Sequence, residues 1–194
     1  MSVIRQLSLF GVEAARPEPG DLAGLLAGAG QVIRMGATAR ISVTVDHPWR
    51  ASALVAECAR RGLAATVVST VEEHIEMRTA YAIGLAPLAD DWLRGEVKLP
   101  PPGLVLDGRA LRLWAESGGR YEGTTSYVLP LGAADDPAWS SVGAALAALG
   151  LRAQLVSLRT GGSSYRIVGR RRVARLAELI GDPPKQAPLG VWPS

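Results

Sequence analysis

Cysteine is nearly absent. Cys58 is the only one in 194 residues, which excludes an internal disulfide framework and a cysteine-based zinc site. It falls in the helical pattern Ala51, Leu54, Val55, Cys58 and is expected as a small buried side chain rather than a reactive thiol. Histidine is scarce as well: His47 and His74 have no cysteine or second histidine at zinc spacing, so each is expected in a loop or at a strand edge. Neither a structural metal nor a cofactor is expected. Long apolar runs are missing; no stretch approaches the roughly 20 residues that cross a bilayer. The N-terminus also lacks the basic, apolar, small-residue order of a signal peptide. The expectation is a cytoplasmic protein, nucleoid-associated if it meets DNA, with no membrane partner. Phenylalanine occurs once, at Phe10.

What is present suits one medium-sized domain or two small ones sharing a core, with 48% hydrophobic and 20% charged residues. A net charge of +3 and a pI near 9.4 favour anionic partners weakly. Abundant Ala, Arg and Gly match a high-GC bacterial composition, which raises the arginine count without any binding role.

The pattern along the chain runs twice. Residues 11–20 carry two prolines and no period, so residues 1–20 are expected as a flexible N-terminal tail. The first repeat is expected over 21–94. Asp21 caps a short helix with Leu22, Leu25 and Leu26 inward, and Thr38 to Val45 alternates with Ile41, Val43 and Val45 on one face. Pro48 opens a helix that stops at Gly62. Strands over Ala64 to Ser69 and Met77 to Leu85 follow, and then a short helix ending near Trp92. Residues 95–106, with Pro100-Pro101-Pro102, form a linker. The second repeat is expected over 107–183. Asp107 caps a helix through Leu111, Trp114 and Ala115 that stops at Gly118-Gly119, and Thr125 to Leu131 is a strand. Asp136-Pro137 starts a helix reaching Gly150. Leu151 to Arg159 and Ser164 to Val168 flank a hairpin turn, and Val173, Leu176, Ala177 and Ile180 form a last stripe ended by Gly181. The fold class is α+β, two pseudo-symmetric αββαββα repeats forming a saddle-shaped sheet surface. The tail 184–194, with Trp192, either packs back on the domain or carries a second docking site.

Leu22-Ala23-Gly24-Leu25-Leu26-Ala27-Gly28-Ala29-Gly30 resembles the signature helix of the LAGLIDADG homing endonucleases, and the repeat order is similar to that family's. The second copy, Leu111-Arg112-Leu113-Trp114-Ala115-Glu116-Ser117-Gly118-Gly119, looks more like the degenerate repeat of the N-terminal domain of the sporulation regulator WhiA, as does the ending Leu176-Ala177-Glu178-Leu179-Ile180-Gly181. The resemblance implies that Ala23, Gly24 and Ala27 let two helices approach closely at a domain interface. In active family members an acidic residue one position before the last glycine of each motif binds the metal that drives cleavage. Here those positions are Ala29 and Gly118, which cannot hold an ion. No catalytic residue is assigned. Glu116 and Glu122 are expected as solvated acids rather than a paired site. The resemblance further implies a saddle that lies on double-stranded DNA, and Arg34, Arg40, Arg78, Arg159 and Arg166 are the candidate phosphate contacts. The alternative is that they are solvated arginines on an exposed face. Arg170-Arg171-Arg172, with Arg175, starts a helix where the dipole disfavours cations, which points either to an anionic partner or simply to a hairpin end. WhiA proteins also carry a helix-turn-helix domain, for which the thirteen residues after Gly181 leave no room, so sequence-specific transcription control is expected to lose its reader.

Gln6-Leu7-Ser8-Leu9-Phe10 matches at all five positions the pentapeptide by which bacterial polymerases and repair proteins bind the sliding clamp, the β subunit of DNA polymerase III. In that mode Leu9 and Phe10 enter an apolar pocket, Leu7 packs beside them and Gln6 supplies an orienting hydrogen bond. The competing reading is a short N-terminal strand or chance similarity. A tether of about ten residues spans on the order of 30 Å, enough to serve two sites from one molecule. The expected protein is a non-catalytic clamp-binding monomer carrying its own pseudo-dimer. The alternatives are a metal-dependent endonuclease with displaced carboxylates and a WhiA-like regulator acting through protein contacts.

Overall fold

The computed structural model describes residues 11–13, 15–69, 74–132, 137–157 and 162–194. Its elements fall into two matching halves. The first has α1 (Ala23–Ala27), entered from a 3-10 turn Pro19–Leu22, then β1 (Gln31–Met35), β2 (Thr38–Val45), α2 (Pro48–Arg60), β3 (Ala65–Ser69), β4 (Ile75–Thr79) and α3 (Ala86–Trp92). A short hairpin, β5 (Leu93–Arg94) with β6 (Val97–Lys98), leads to the second half. There α4 (Gly108–Gly118), β7 (Arg120–Glu122), β8 (Ser126–Pro130), α5 (Ser140–Ala148), β9 (Ala153–Ser157), β10 (Ser163–Val168) and α6 (Arg170–Ile180) repeat the order. Each half forms a four-stranded antiparallel sheet, β1-β2-β4-β3 and β7-β8-β10-β9.

Local chemistry places many of these boundaries. The Asp107 carboxylate accepts from the Arg109 and Ala110 amides at 3.0 and 2.9 Å and starts α4. Pro48 sits in the first turn of α2, where a missing amide costs nothing. Gly62 and Gly181 end α2 and α6 with φ of +68° and +69°, a conformation that disfavours a Cβ. Asp21 departs from its expected capping role. It lies inside the 3-10 turn, where its Oδ2 accepts from the Glu18 amide at 3.0 Å and from Arg61 Nε at 3.0 Å.

Each sheet lays one face on helices, and the alternation of side chains follows from the strand period of two. Ile41, Val43, Val45 and Met77 of the first sheet and Tyr127, Leu129, Tyr165 and Ile167 of the second are buried against the helical layer. The halves join along α1 and α4. A Cβ on Gly24 would lie 1.8 Å from the Ala110 carbonyl oxygen, so only glycine admits this approach. Leu22, Leu25, Leu26, Leu111, Trp114 and Ala115 form the shared core.

The segment expected as a free tether is tied down twice. The Val12 amide donates to Leu179 O at 2.8 Å, and Arg109 Nη1 donates to Arg16 O at 2.7 Å. The C-terminal tail packs back: Trp192 is buried, its Nε1 donates to Gly181 O at 2.8 Å, and the Arg112 guanidinium lies 5.3 Å from its ring centroid. Among the described residues no helix is long and apolar enough to cross a membrane.

Candidate nucleic-acid interface

The faces of the two sheets turned away from the helices carry the polar side chains. On the first, Gln31, Ile33 and Met35 of β1 lie opposite Ser42, Arg40 and Thr38 of β2, and Ser42 lies opposite Arg78 of β4. On the second, Arg120 and Glu122 of β7 lie opposite Val128 and Ser126, and Val128 lies opposite Arg166 of β10. Arg78 and Arg166 therefore hold equivalent places in the two repeats. Each leans on an acid of its own face, Arg78 on Glu76 and Arg166 on Glu122. The Arg40 guanidinium stacks 5.0 Å from the Tyr81 ring centroid. The Nε–H groups of Arg40, Arg78 and Arg166 are buried without an acceptor of suitable geometry. Among the described strand residues of these faces, four arginines face two glutamates, so the surface is net cationic.

Arg34 is not on this surface. It lies opposite Ala39, one register step from the open face, so its side chain turns to the helical side and pairs with Asp90 of α3. Arg159, together with the clamp peptide Gln6-Leu7-Ser8-Leu9-Phe10 and Asp136, lies outside the described residues. Arg120, which sequence alone does not single out, joins the face because β7, only three residues long, follows directly on α4.

The C-terminal ends of α1 and α4 are the places where the family resemblance puts carboxylates and metal. In this chain both ends hold a protein cation. Lys98, delivered by the β5–β6 hairpin, donates to Leu26 O, Gly28 O and Gly30 O at 3.0, 2.9 and 2.6 Å. Burial pushes its ammonium down to about 8, while the three carbonyls and the Trp139 ring, 5.1 Å away, favour the charged form. Arg50 of α2 does the same for α4, donating to Ala115 O, Glu116 O and Gly119 O at 3.1, 2.9 and 2.8 Å. Carbonyl oxygens at a helix C-terminus carry partial negative charge, so both contacts are electrostatically favourable. Around them the space is filled: a Cβ on Gly28 would meet Trp114, and one on Gly118 would meet Pro130. Among the described residues, no group of three His, Cys, Asp or Glu could hold a metal ion.

Glu116, expected in solvent, is instead fully buried. It sits on α4 at the end of an ionic chain that crosses the repeat junction. Arg61 joins Asp21 and Glu57, with Nη1 donating to Glu57 Oε2 at 2.7 Å, and Arg112 Nε donates to Glu57 Oε1 at 3.2 Å. Arg112 Nε is also 3.0 Å from Glu116 Oε1, yet neither Glu116 oxygen accepts a hydrogen bond. Burial accordingly pushes the Glu116 carboxyl up to about 8. Burial opposes charge on Glu57 too, but there the Arg61 hydrogen bond and the Arg112 charge win, and its carboxyl is held below the ordinary range.

No family model and no curated protein matches the chain. Solved structures do. The chain is similar to the homing endonuclease I-WcaI bound to its DNA recognition sequence, with a TM-score of 0.63 and 11% identity over 86% of this chain and 81% of that one. It is similar to full-length DUF199/WhiA from Thermatoga maritima, with a TM-score of 0.59 and 13% identity, covering 88% of this chain and 57% of that one. The N-terminal LAGLIDADG domain of DUF199/WhiA gives a TM-score of 0.53 and 14% identity, over 95% and 97% of the two chains. Identities this low establish the fold alone, and the fold is the two-repeat LAGLIDADG arrangement.

Proposed function

We propose that this protein is a non-catalytic, DNA-binding member of the replication or repair machinery, recruited to the sliding clamp by Gln6-Leu7-Ser8-Leu9-Phe10. The observation that carries the non-catalytic part is the pair of cations at the helix ends. Lys98 and Arg50 occupy the carbonyl ends of α1 and α4, beside Ala29 and Gly118. A divalent ion at either end would meet a fixed positive charge, and the Asp46 carboxylate beside the α4 end is already paired with Arg50 Nε at 2.7 Å, so water activation has no seat. The DNA-binding part is supported by the arginines of the open faces and by the fold shared with an endonuclease whose structure holds its DNA recognition sequence. Backbone contacts by Arg40, Arg78, Arg120 and Arg166 would make binding salt-dependent and sequence-tolerant. A protein partner on the saddle is the second reading, favoured by Ile33 and Met35, which stand 46% and 56% exposed on the same face as Arg40.

The test has two arms on the full chain. Calorimetry against the organism's own sliding clamp compares wild type with Leu9→Ala/Phe10→Ala; micromolar or tighter binding that vanishes in the variant supports recruitment, and no binding by wild type reduces the pentapeptide to coincidence. Fluorescence anisotropy with a random-sequence duplex at 50 mM salt addresses the saddle. Binding without magnesium-dependent cutting supports the proposal, cutting overturns its non-catalytic part, and clamp binding with no duplex binding transfers the saddle to a protein partner.

A further inference from the structure

The start of α6 carries three consecutive exposed arginines, Arg170, Arg171 and Arg172. Folding does not account for them. The first turn of a helix has partial positive charge, and here it contains no acidic residue and no side-chain cap. Arg172 spends one donor locally, Nη1 to Val168 O at 2.9 Å, which leaves most of the cluster's donors directed to solvent.

Its position follows from the sheet. β7 begins at Arg120, immediately after α4 ends at the repeat junction, and runs outward to the β7–β8 turn. The Gly169 amide donates to Thr125 O of that turn at 2.9 Å, so α6 starts at the rim of the second sheet farthest from the junction. The hairpin register pairs Arg120 with Val128, and Thr125 lies three residues farther along, roughly 10 Å at about 3.3 Å per residue. Arg166, on the open face, is four residues before Arg170. The first repeat has no counterpart, since Ala80, Tyr81 and Ala82 follow β4 and Ala86-Pro87 opens α3.

We infer that Arg170, Arg171 and Arg172 extend the saddle on one side only and grip the backbone of duplex DNA about three base pairs from the repeat junction, at about 3.4 Å per pair. This rests on the DNA-binding reading of the saddle. The bound duplex is thus held asymmetrically although the fold is pseudo-symmetric.

The experiment measures the salt dependence of anisotropy on a random-sequence 30-base-pair duplex for the full chain. It compares wild type, Arg170→Ala/Arg171→Ala/Arg172→Ala, and Arg78→Ala/Arg166→Ala, with thermal melts confirming that each variant is folded. Three lost phosphate contacts lower the slope of log K against log salt by about 2.7. Between 50 and 200 mM salt the wild type then loses about fortyfold more affinity than the triple variant. A slope unchanged in the triple variant but reduced by Arg78→Ala/Arg166→Ala overturns this inference and keeps the saddle reading. No duplex binding by wild type at 50 mM salt overturns the saddle reading, and the asymmetric grip with it.

Discussion

Gly24→Ala is the substitution that tests the junction on which the whole architecture rests. Its added Cβ would lie 1.8 Å from Ala110 O, 2.5 Å from Ala110 C and 2.9 Å from Ala110 Cα. All three are backbone atoms of α4, so no rotamer change relieves the clash, and α1 and α4 must move apart. Overpacking a core costs about 1–3 kcal/mol when side chains can adjust, and a backbone obstacle puts this site at the top of that range or above it. Replacing glycine by alanine inside a helix returns at most about 1 kcal/mol of propensity, and α1 is a single short turn. The net expectation is a loss of about 2–3 kcal/mol, or a melting temperature lower by roughly 5–10 °C for a chain of this size. Gly20→Ala is the matched control, because a methyl group added there has nothing within 4 Å and the substitution should be neutral. Urea and thermal unfolding of the three proteins decide the matter. A Gly24→Ala protein as stable as wild type would mean that the two repeats do not meet at this glycine.

Three further outcomes follow from individual side chains. Glu116 has its carboxyl raised from 4.5 to about 8 by burial, so the stability linked to its protonated form is complete below pH 4.5 and is lost as pH rises through about 8. Glu116→Gln should remove that decline, and parallel urea melts at pH 6 and pH 9 check it; equal slopes in the two proteins would refute the assignment. Arg34→Ala should leave the salt slope of duplex binding unchanged, because Arg34 faces Asp90 on the helical side, whereas Arg166→Ala should reduce it by about 0.9. Arg171→Glu places a negative charge in the first turn of α6 and should stabilise the free protein by about 0.3–1 kcal/mol while weakening duplex binding. A thermal melt and an anisotropy titration on the same preparation test both signs.

The elements legible in sequence are those whose cause is local. Asp107, Pro48, Gly62 and Gly181 mark helix boundaries through interactions within a few residues, and the alternation Ile41, Val43, Val45 gives β2 its buried face directly. β7 escapes because three residues are too few for a period, and the β5–β6 hairpin because it pairs only two residues on each side. Sequence alone misplaces Arg34 for a specific reason. β1 reads Gln-Val-Ile-Arg-Met, with apolar residues on both parities, and the register that buries Val32 against Ile41 sends Ile33 and Met35 to the open face and Arg34 behind it. Glutamate is usually solvated, and nothing near Glu116 in sequence says otherwise; its burial depends on Arg61 and Glu57 arriving from α2.

The most consequential contacts are also the least readable. Lys98 meets Leu26 O across 72 residues and Arg50 meets Glu116 O across 66, and no local pattern announces either. Each helix end presents several carbonyl oxygens, and that partial negative charge is met favourably by a cation whether or not chemistry is done there. Alanine and glycine at positions 29 and 118 offer no carboxylate of their own, and without Lys98 and Arg50 the charge at the helix ends would be left to solvent. A lysine and an arginine fixed in the chain meet the requirement permanently and independently of metal supply. Lys98→Met should therefore destabilise the protein by about 1–3 kcal/mol, since three carbonyls lose their donor at once. If Lys98→Met instead leaves stability unchanged in chelator and magnesium alike, the ammonium is not what closes α1.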